Sequence, residues 1–111
     1  MPSVNRYASV FRPALFAGQV AIVTGAGSGL GRCMAHELAA LGAHVALIGR
    51  KLEKLERTRE EIAQAGGNAR SFACDIREEE TVRQTVSNVI ADLGRVDALV
   101  NNAGGQFAAP L

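Results

Sequence analysis

The sequence has little of what marks a metal, membrane or nucleic-acid protein. Its two cysteines, Cys33 and Cys74, fall in an expected helix and at an expected strand end, with no metal-type spacing and no other ligand cluster beside them. They read as the reduced thiols of a cytoplasmic protein, with a peroxisomal or mitochondrial matrix location left open, and no metal site is expected. No apolar run approaches the roughly 18 to 20 residues that span a bilayer, so nothing favours a membrane role. An excess of one charge is also missing: 12 lysines and arginines stand against 11 acids, for a net charge of +1. Between Lys51 and Glu61 bases and acids interleave, which reads as a solvated helix face and not a stripe for a polyanion, so nucleic acid is not an expected partner. There is no internal repeat, low-complexity tract or linker. What is present suits one ordinary globular domain, with 111 residues of which 48% are hydrophobic and 21% charged.

Short apolar runs alternate with helical periodicities along the chain. Gln19 to Val23 reads as a buried strand, because a short, mostly apolar and β-branched run ends in glycine. Leu30, Met34, Leu38 and Leu41 follow at helical spacing and stop at Gly42, which predicts a helix over about Gly29 to Leu41. Val45 to Ile48 is a second strand. Leu52, Leu55, Ile62 and Ala63 mark one face of a charged helix that ends at Gly66-Gly67, and Ala69 to Ala73 is a third strand. Val82, Val86, Val89, Ile90 and Leu93 form the clearest helical stripe, ended by Gly94, and Val96 to Val100 is the last strand. Short strands separated by long helices imply parallel pairing, since a parallel connection needs a crossover, and the expected fold class is α/β. Ahead of the first strand, Met1 to Ala17 has two arginines and no acid but lacks the long amphipathic pattern of an organellar transit peptide. Residues 1–17 are therefore expected to form an extended arm packed on a domain of residues 18–111.

The junction of the first strand and first helix reads Thr24-Gly25-Ala26-Gly27-Ser28-Gly29-Leu30-Gly31. Gly25 can take backbone angles closed to other residues. Gly29 lacks the Cβ that would hold the main chain away from a pyrophosphate, and Gly31 lets the helix pack closely on the strand. The helix N-terminus offers unsatisfied N–H groups and the positive end of its dipole to an anion. Gly25, Ser28, Gly29 and Leu30 are thus candidates for diphosphate contact, with Ser28 placed either to cap the helix or to touch a phosphate oxygen. Thr24 and Gly31 read as structural, and the plain alternative is a helix-starting turn. A second cluster, Asn101-Asn102-Ala103-Gly104, closes the last strand.

Thr24, Gly25, Gly29 and Gly31 in a Thr-Gly-x-x-x-Gly-x-Gly pattern, followed by Asn101-Asn102-Ala103-Gly104, resemble the short-chain dehydrogenase/reductase family over about residues 18–105. The resemblance implies a Rossmann-type doubly wound parallel sheet, of which this chain holds the N-terminal half with strand order 3-2-1-4. Its nucleotide crevice lies at the carboxyl ends of strands one and four. It implies that Asn101, Ala103 and Gly104 line the floor under the nicotinamide ribose, that Asn102 is mainly structural, and that Thr24 bonds the main chain near the second motif. It also sets Asp75, with Ile76 beside it, against the adenine amino group, although Asp75-x-x-Glu78 reads equally as a capping box for the next helix. At the end of strand two, an NAD-selecting site places a carboxylate against the ribose 2′-hydroxyl, where it would repel a 2′-phosphate. Here that position is Gly49, followed by Arg50, whose guanidinium matches phosphate oxygens bidentately, and by Lys51 as a second cation. NADP(H) is favoured over NAD(H), the alternative being Arg50 as the solvated start of a charged helix. Ser28 stands where some NADP-using relatives carry a further basic residue. His36 and His44 have no partner pattern and read as surface or strand-edge residues.

Catalysis in that family needs an asparagine on the following helix, a serine on strand five and a Tyr-x-x-x-Lys pair, in which the tyrosine passes a proton while the lysine lowers its pKa. None is assignable, because the single tyrosine, Tyr7, precedes the first strand and is followed by Ala8-Ser9-Val10-Phe11. The expectation is a cofactor-binding part, truncated before the catalytic half and inactive alone. Gly104-Gly105-Gln106-Phe107 and Gly18-Gln19-Val20-Ala21-Ile22-Val23 resemble the branch of trans-2-enoyl-CoA and 2,4-dienoyl-CoA reductases. This implies an NADP(H)-dependent oxidoreductase of small-molecule acyl-CoA substrates, homo-oligomeric at full length. A carbonyl or alcohol substrate, and a catalytically inactive nucleotide-binding or interaction module, stand as alternatives.

Overall fold

The computed structural model describes residues 10–102, so Tyr7, Ala103 and Gly104 lie outside the described residues. The elements run β1 (Val20–Thr24), α1 (Gly29–Ala40), β2 (His44–Gly49), α2 (Leu52–Gln64), β3 (Asn68–Ala73), α3 (Glu79–Leu93) and β4 (Ala98–Val100). The four strands form one parallel sheet in the order β3-β2-β1-β4, as the alternation of short strands and long helices requires. In register, Ile22 faces both Ala46 of β2 and Leu99 of β4.

Side chains of successive strand residues point to opposite faces, and the core divides accordingly. Ala21, Val23, Val45 and Leu47 meet α1 and α2 through Ala35, Ala39, Leu55 and Ile62. Val20, Ile22, Ala46 and Ile48 lie on the other face with Val89 of α3 and Cys74. Helices on both faces make the sheet doubly wound, and each fully buried valine, leucine or isoleucine contributes roughly 1.5–3 kcal/mol. The arm is tied to the lower end of this core: the Phe16 N–H donates to the Leu41 carbonyl at 2.8 Å, and the Phe16 ring packs on the α1–α2 side. No helix among the described residues is long and apolar enough to cross a membrane.

The helices bury faces that hydrophobic spacing alone misplaces. Of Leu30, Met34, Leu38 and Leu41, the last is buried just past the end of α1, Met34 and Leu38 are half-buried at the edge of the core, and Leu30 is 63% exposed, while the buried residues of the helix itself are Gly31, Ala35 and Ala39. Small residues let the helix approach the sheet, and the larger ones flank the contact. On α2, Leu52 and Ala63 are exposed and Thr58 joins Leu55 and Ile62 inside. On α3, Ile90 turns outward while Thr85 is buried. Strand β4 begins at Ala98, two residues later than the apolar run suggests, because Asp97 makes side-chain contacts there. Its N–H donates to the Val20 carbonyl and its carboxylate accepts from the Val20 N–H, each at 2.8 Å.

Candidate functional site

Since all four strands run the same way, their carboxyl ends share one end of the sheet. Thr24-Gly25, Gly49-Arg50, Cys74 to Ile76 and Asn101-Asn102 are gathered there, and so are all the described candidate residues. The Cys74 N–H donates to the Gly49 carbonyl at 2.8 Å, which sets the segment carrying Asp75 and Ile76 beside the end of β2.

The glycine turn has a pinned side and an open side. The Ala26 N–H donates to the Ile48 carbonyl at 3.3 Å, and the Ala26 carbonyl accepts from the hydroxyl of Thr58 at 3.0 Å. Among the described residues, none accepts from the N–H groups of Gly27, Ser28 or Gly29. Ser28 is extended, with φ −160° and ψ 166°, and its side chain makes no capping bond, so of its two expected roles the cap is not the one adopted. Gly25 and Gly29 sit at φ +64° and +57°, where side chains are disfavoured. A Cβ built on Gly29 meets nothing within 4 Å, so the main chain there is approachable from outside. Such a turn, with donors unmet at the start of α1, suits a diphosphate.

Thr24 and Gly31 hold the turn in place from behind. The Thr24 hydroxyl accepts from the Asn102 N–H at 2.9 Å and lies 3.4 Å from the Val100 carbonyl, which ties β1 to β4. The Asn102 amide reaches the Thr24 carbonyl at 3.4 Å. A Cβ on Gly31 would stand 2.2 Å from the Gly25 carbonyl oxygen and 2.6 Å from Asn102 Nδ2, so this glycine serves contact between the helix and both motifs.

At the end of β2, Gly49 presents no carboxylate and Arg50 and Lys51 are exposed. Asp75 does not cap α3. That helix starts at Glu79 with Glu78 at its N-cap position, and the Asp75 carboxylate instead turns back on its own loop. It accepts from the Arg77 N–H at 3.0 Å and from the Arg77 guanidinium at 2.7 Å. These bonds, with a smaller contribution from the charge of Arg50, hold the Asp75 pKa down at about 2. A carboxylate has about four lone-pair sites, so acceptor capacity for an adenine amino group remains. Ile76 is half-buried against the α3 side of the core.

Two features near the turn escape the sequence patterns. One is Thr58, although its spacing from Leu55 and Ile62 puts it on the buried face and is a usable signal. The other is Glu61 of α2, which pairs with the Arg32 guanidinium, 2.8 Å from Nε, and with His36 Nε2 at 3.0 Å, both on α1. Arg32 is the main cause of a Glu61 pKa held below the ordinary carboxylate range, with His36 adding to it. His44 stands apart at the start of β2, where burial and then Arg70 lower its pKa.

A family model described as short chain dehydrogenase matches residues 19–111. The fatty acyl-CoA reductase of Acinetobacter baylyi is 44% identical over 87 residues, covering 78% of this chain and 30% of that protein. The peroxisomal 2,4-dienoyl-CoA reductase of Danio rerio is 35% identical over 108 residues, covering 96% of this chain and 36% of that protein. The chain thus spans about a third of the length of these relatives. Among solved structures, a citronellol catabolism dehydrogenase of Pseudomonas aeruginosa is similar at TM-score 0.86 and 62% identity, over 90% of this chain and 42% of that one. A metagenomic short-chain oxidoreductase in complex with NADP gives 0.79 and 48%, over 86% of this chain and 43% of that one. An NAD+-bound xylitol dehydrogenase gives 0.80 and 42%, over 83% and 35%. With the sheet order, the glycine turn, the Asn101-Asn102 end of β4 and the matched model in agreement, this chain belongs to the short-chain dehydrogenase/reductase family.

Proposed function

We propose that this chain forms the cofactor-binding part of an NADP(H)-dependent oxidoreductase that reduces enoyl-CoA or dienoyl-CoA substrates. The observation that carries the cofactor reading is the pairing of an open glycine turn with a β2 end that has Gly49 and Arg50 in place of a carboxylate. In this reading, main-chain N–H groups from Gly27 to Gly29 hold the diphosphate and the Arg50 guanidinium, with Lys51 beside it, holds the 2′-phosphate. Asp75 accepts from the adenine amino group. Asn101, with Ala103 and Gly104 beyond the described residues, supports the nicotinamide ribose. Bound NADPH supplies a hydride to the substrate. Residues 18–111 act as one nucleotide-binding unit and residues 1–17 as an arm, tied to it through Phe16 and Leu41. No group described here has the position and chemistry of the proton donor, so turnover depends on residues outside this set.

Support for the acyl-CoA class comes from the two reductases above. The match to the dienoyl-CoA reductase covers 96% of the chain and so runs through most of the arm. A second reading, a dehydrogenase for a terpenoid alcohol, has the 62% identity to the citronellol catabolism dehydrogenase in its favour. The cofactor half reports on substrate only indirectly, and assaying the whole protein with dienoyl-CoA and NADPH against citronellol and NADP+ separates the two.

The cofactor reading is tested by fluorescence titration of NADPH and NADH into the wild type and Arg50→Ala. NADPH should bind about tenfold or more tightly than NADH, the equivalent of ~1.4 kcal/mol or more, and the substitution should remove the difference. Equal affinities in the wild type would refute the 2′-phosphate role. Binding of neither would refute the cofactor site.

A further inference from the structure

We propose that Thr58 of α2 is a positioning residue for the cofactor turn, acting through the Ala26 carbonyl to hold the Gly27 N–H on the side where the diphosphate binds. The inference rests on the cofactor reading above. A peptide unit is planar and trans, so its carbonyl and its N–H point in opposite directions. The Ala26 carbonyl and the Gly27 N–H belong to one such unit. Drawing the carbonyl onto the Thr58 hydroxyl, at 3.0 Å, therefore turns the N–H away from α2 and outward.

Thr58 is an odd residue for its place unless it has this task. It is 0% exposed, between Leu55 and Ile62 on the inner face of an otherwise charged helix, where valine would fill similar space without burying a hydroxyl. Threonine hydroxyls in helices commonly bond back to the carbonyl four residues earlier, and Lys54 offers that acceptor at 3.3 Å. One hydroxyl proton serves one acceptor at a time, and the shorter contact is to Ala26. Ala26 is itself 0% exposed, and among the described residues Thr58 is the donor its carbonyl has. The Ala26 N–H is fixed on the other flank by the Ile48 carbonyl. Both polar groups of Ala26 are thus committed to the scaffold, which leaves the N–H groups from Gly27 to Gly29 for a ligand.

The test compares NADPH with adenosine 2′-monophosphate, which carries the adenine and the 2′-phosphate but no phosphate at the 5′ position, on the wild type, Thr58→Val and Thr58→Ser. Thr58→Val should weaken NADPH about tenfold while leaving adenosine 2′-monophosphate within about twofold of the wild type, and Thr58→Ser should restore NADPH binding. Unchanged NADPH affinity in Thr58→Val, equal loss of both ligands, or failure of Thr58→Ser to restore binding would overturn the proposal. A wild type that binds neither ligand would instead refute the cofactor reading and remove the inference with it.

Discussion

Replacing Gly31 with alanine puts a methyl group where the structure has no room for one. The new Cβ would lie 2.2 Å from the Gly25 carbonyl oxygen, 2.8 Å from its carbon and 2.6 Å from Asn102 Nδ2. Non-bonded carbon contacts are comfortable from roughly 3.5 Å, so turn and helix must part by about 1 Å. The nearest atom is the backbone oxygen of Gly25, which a rotamer change cannot move aside. Overpacking of this kind costs about 1–3 kcal/mol, and alanine recovers up to about 1 kcal/mol of helix propensity over glycine. A 2.2 Å contact with backbone puts the cost at the upper end of that range, so the net loss of about 1–2 kcal/mol should lower Tm by roughly 4–15 °C in a domain of this size. NADPH affinity should fall with it, because the displaced groups belong to the turn and to the Asn102 that donates to Thr24. Scanning calorimetry and a cofactor titration on the same sample measure both effects. An unchanged or raised Tm, as glycine-to-alanine gives in an unencumbered helix, would refute the packing argument.

Gly29→Ala should cost NADPH binding directly: its Cβ meets nothing in the protein, so only the positive φ penalises the fold, by about 1–2 kcal/mol, while NADPH binding drops at least about tenfold. Titration and circular dichroism read the two effects, and retained binding would place the diphosphate elsewhere. Glu61 predicts an acid-dependent stability. Its pKa is lowered in the folded state, chiefly by Arg32, so its contribution is present above the ordinary glutamate pKa and is lost as pH falls through the lowered value. Melting curves from about pH 6 to about pH 3 should show the gap between wild type and Glu61→Gln closing in acid, and a constant gap would rule this out.

The alternation of short strands with long helices and the helix stops at Gly42 and Gly94 were legible from spacing, because each rests on local chemistry: a β-branched run, a glycine, a helical period. The sheet order and the meeting of the two motifs at one sheet end came instead from the family resemblance, and the structure bears out the order. The inner face of α1 was not legible. Gly31, Ala35 and Ala39 carry almost no hydrophobic signal, yet close approach to the sheet selects them over Leu30 and Met34. The same limit hid the site's supports. Arg32 and Glu61 are 29 residues apart, and a charge in an interleaved helix shows nothing of its partner until α1 and α2 lie side by side. Asp75 was ambiguous for a different reason. Its carboxylate can serve an N–H of the turn as readily as one of the helix, and Arg77 two residues on decided for the turn.

The clasp between Thr24 and Asn102 joins residues 78 apart, and the Val20 and Asp97 pair spans 77. β2 pairs with β1 and β3 with β2 across a single crossover each, whereas β4 must find β1 after the other elements have been made. Closing so long a loop is slow, because its entropy is lost before any contact repays it. Three strands can therefore assemble as the chain emerges, while the strand next to the glycine turn keeps one edge unpaired until the end. Nucleotide affinity then becomes a property acquired when β4 docks on β1. A bound dinucleotide draws the equilibrium toward the paired β1 and β4 by mass action, and it does so by stabilising the longest-range strand pairing among the described residues.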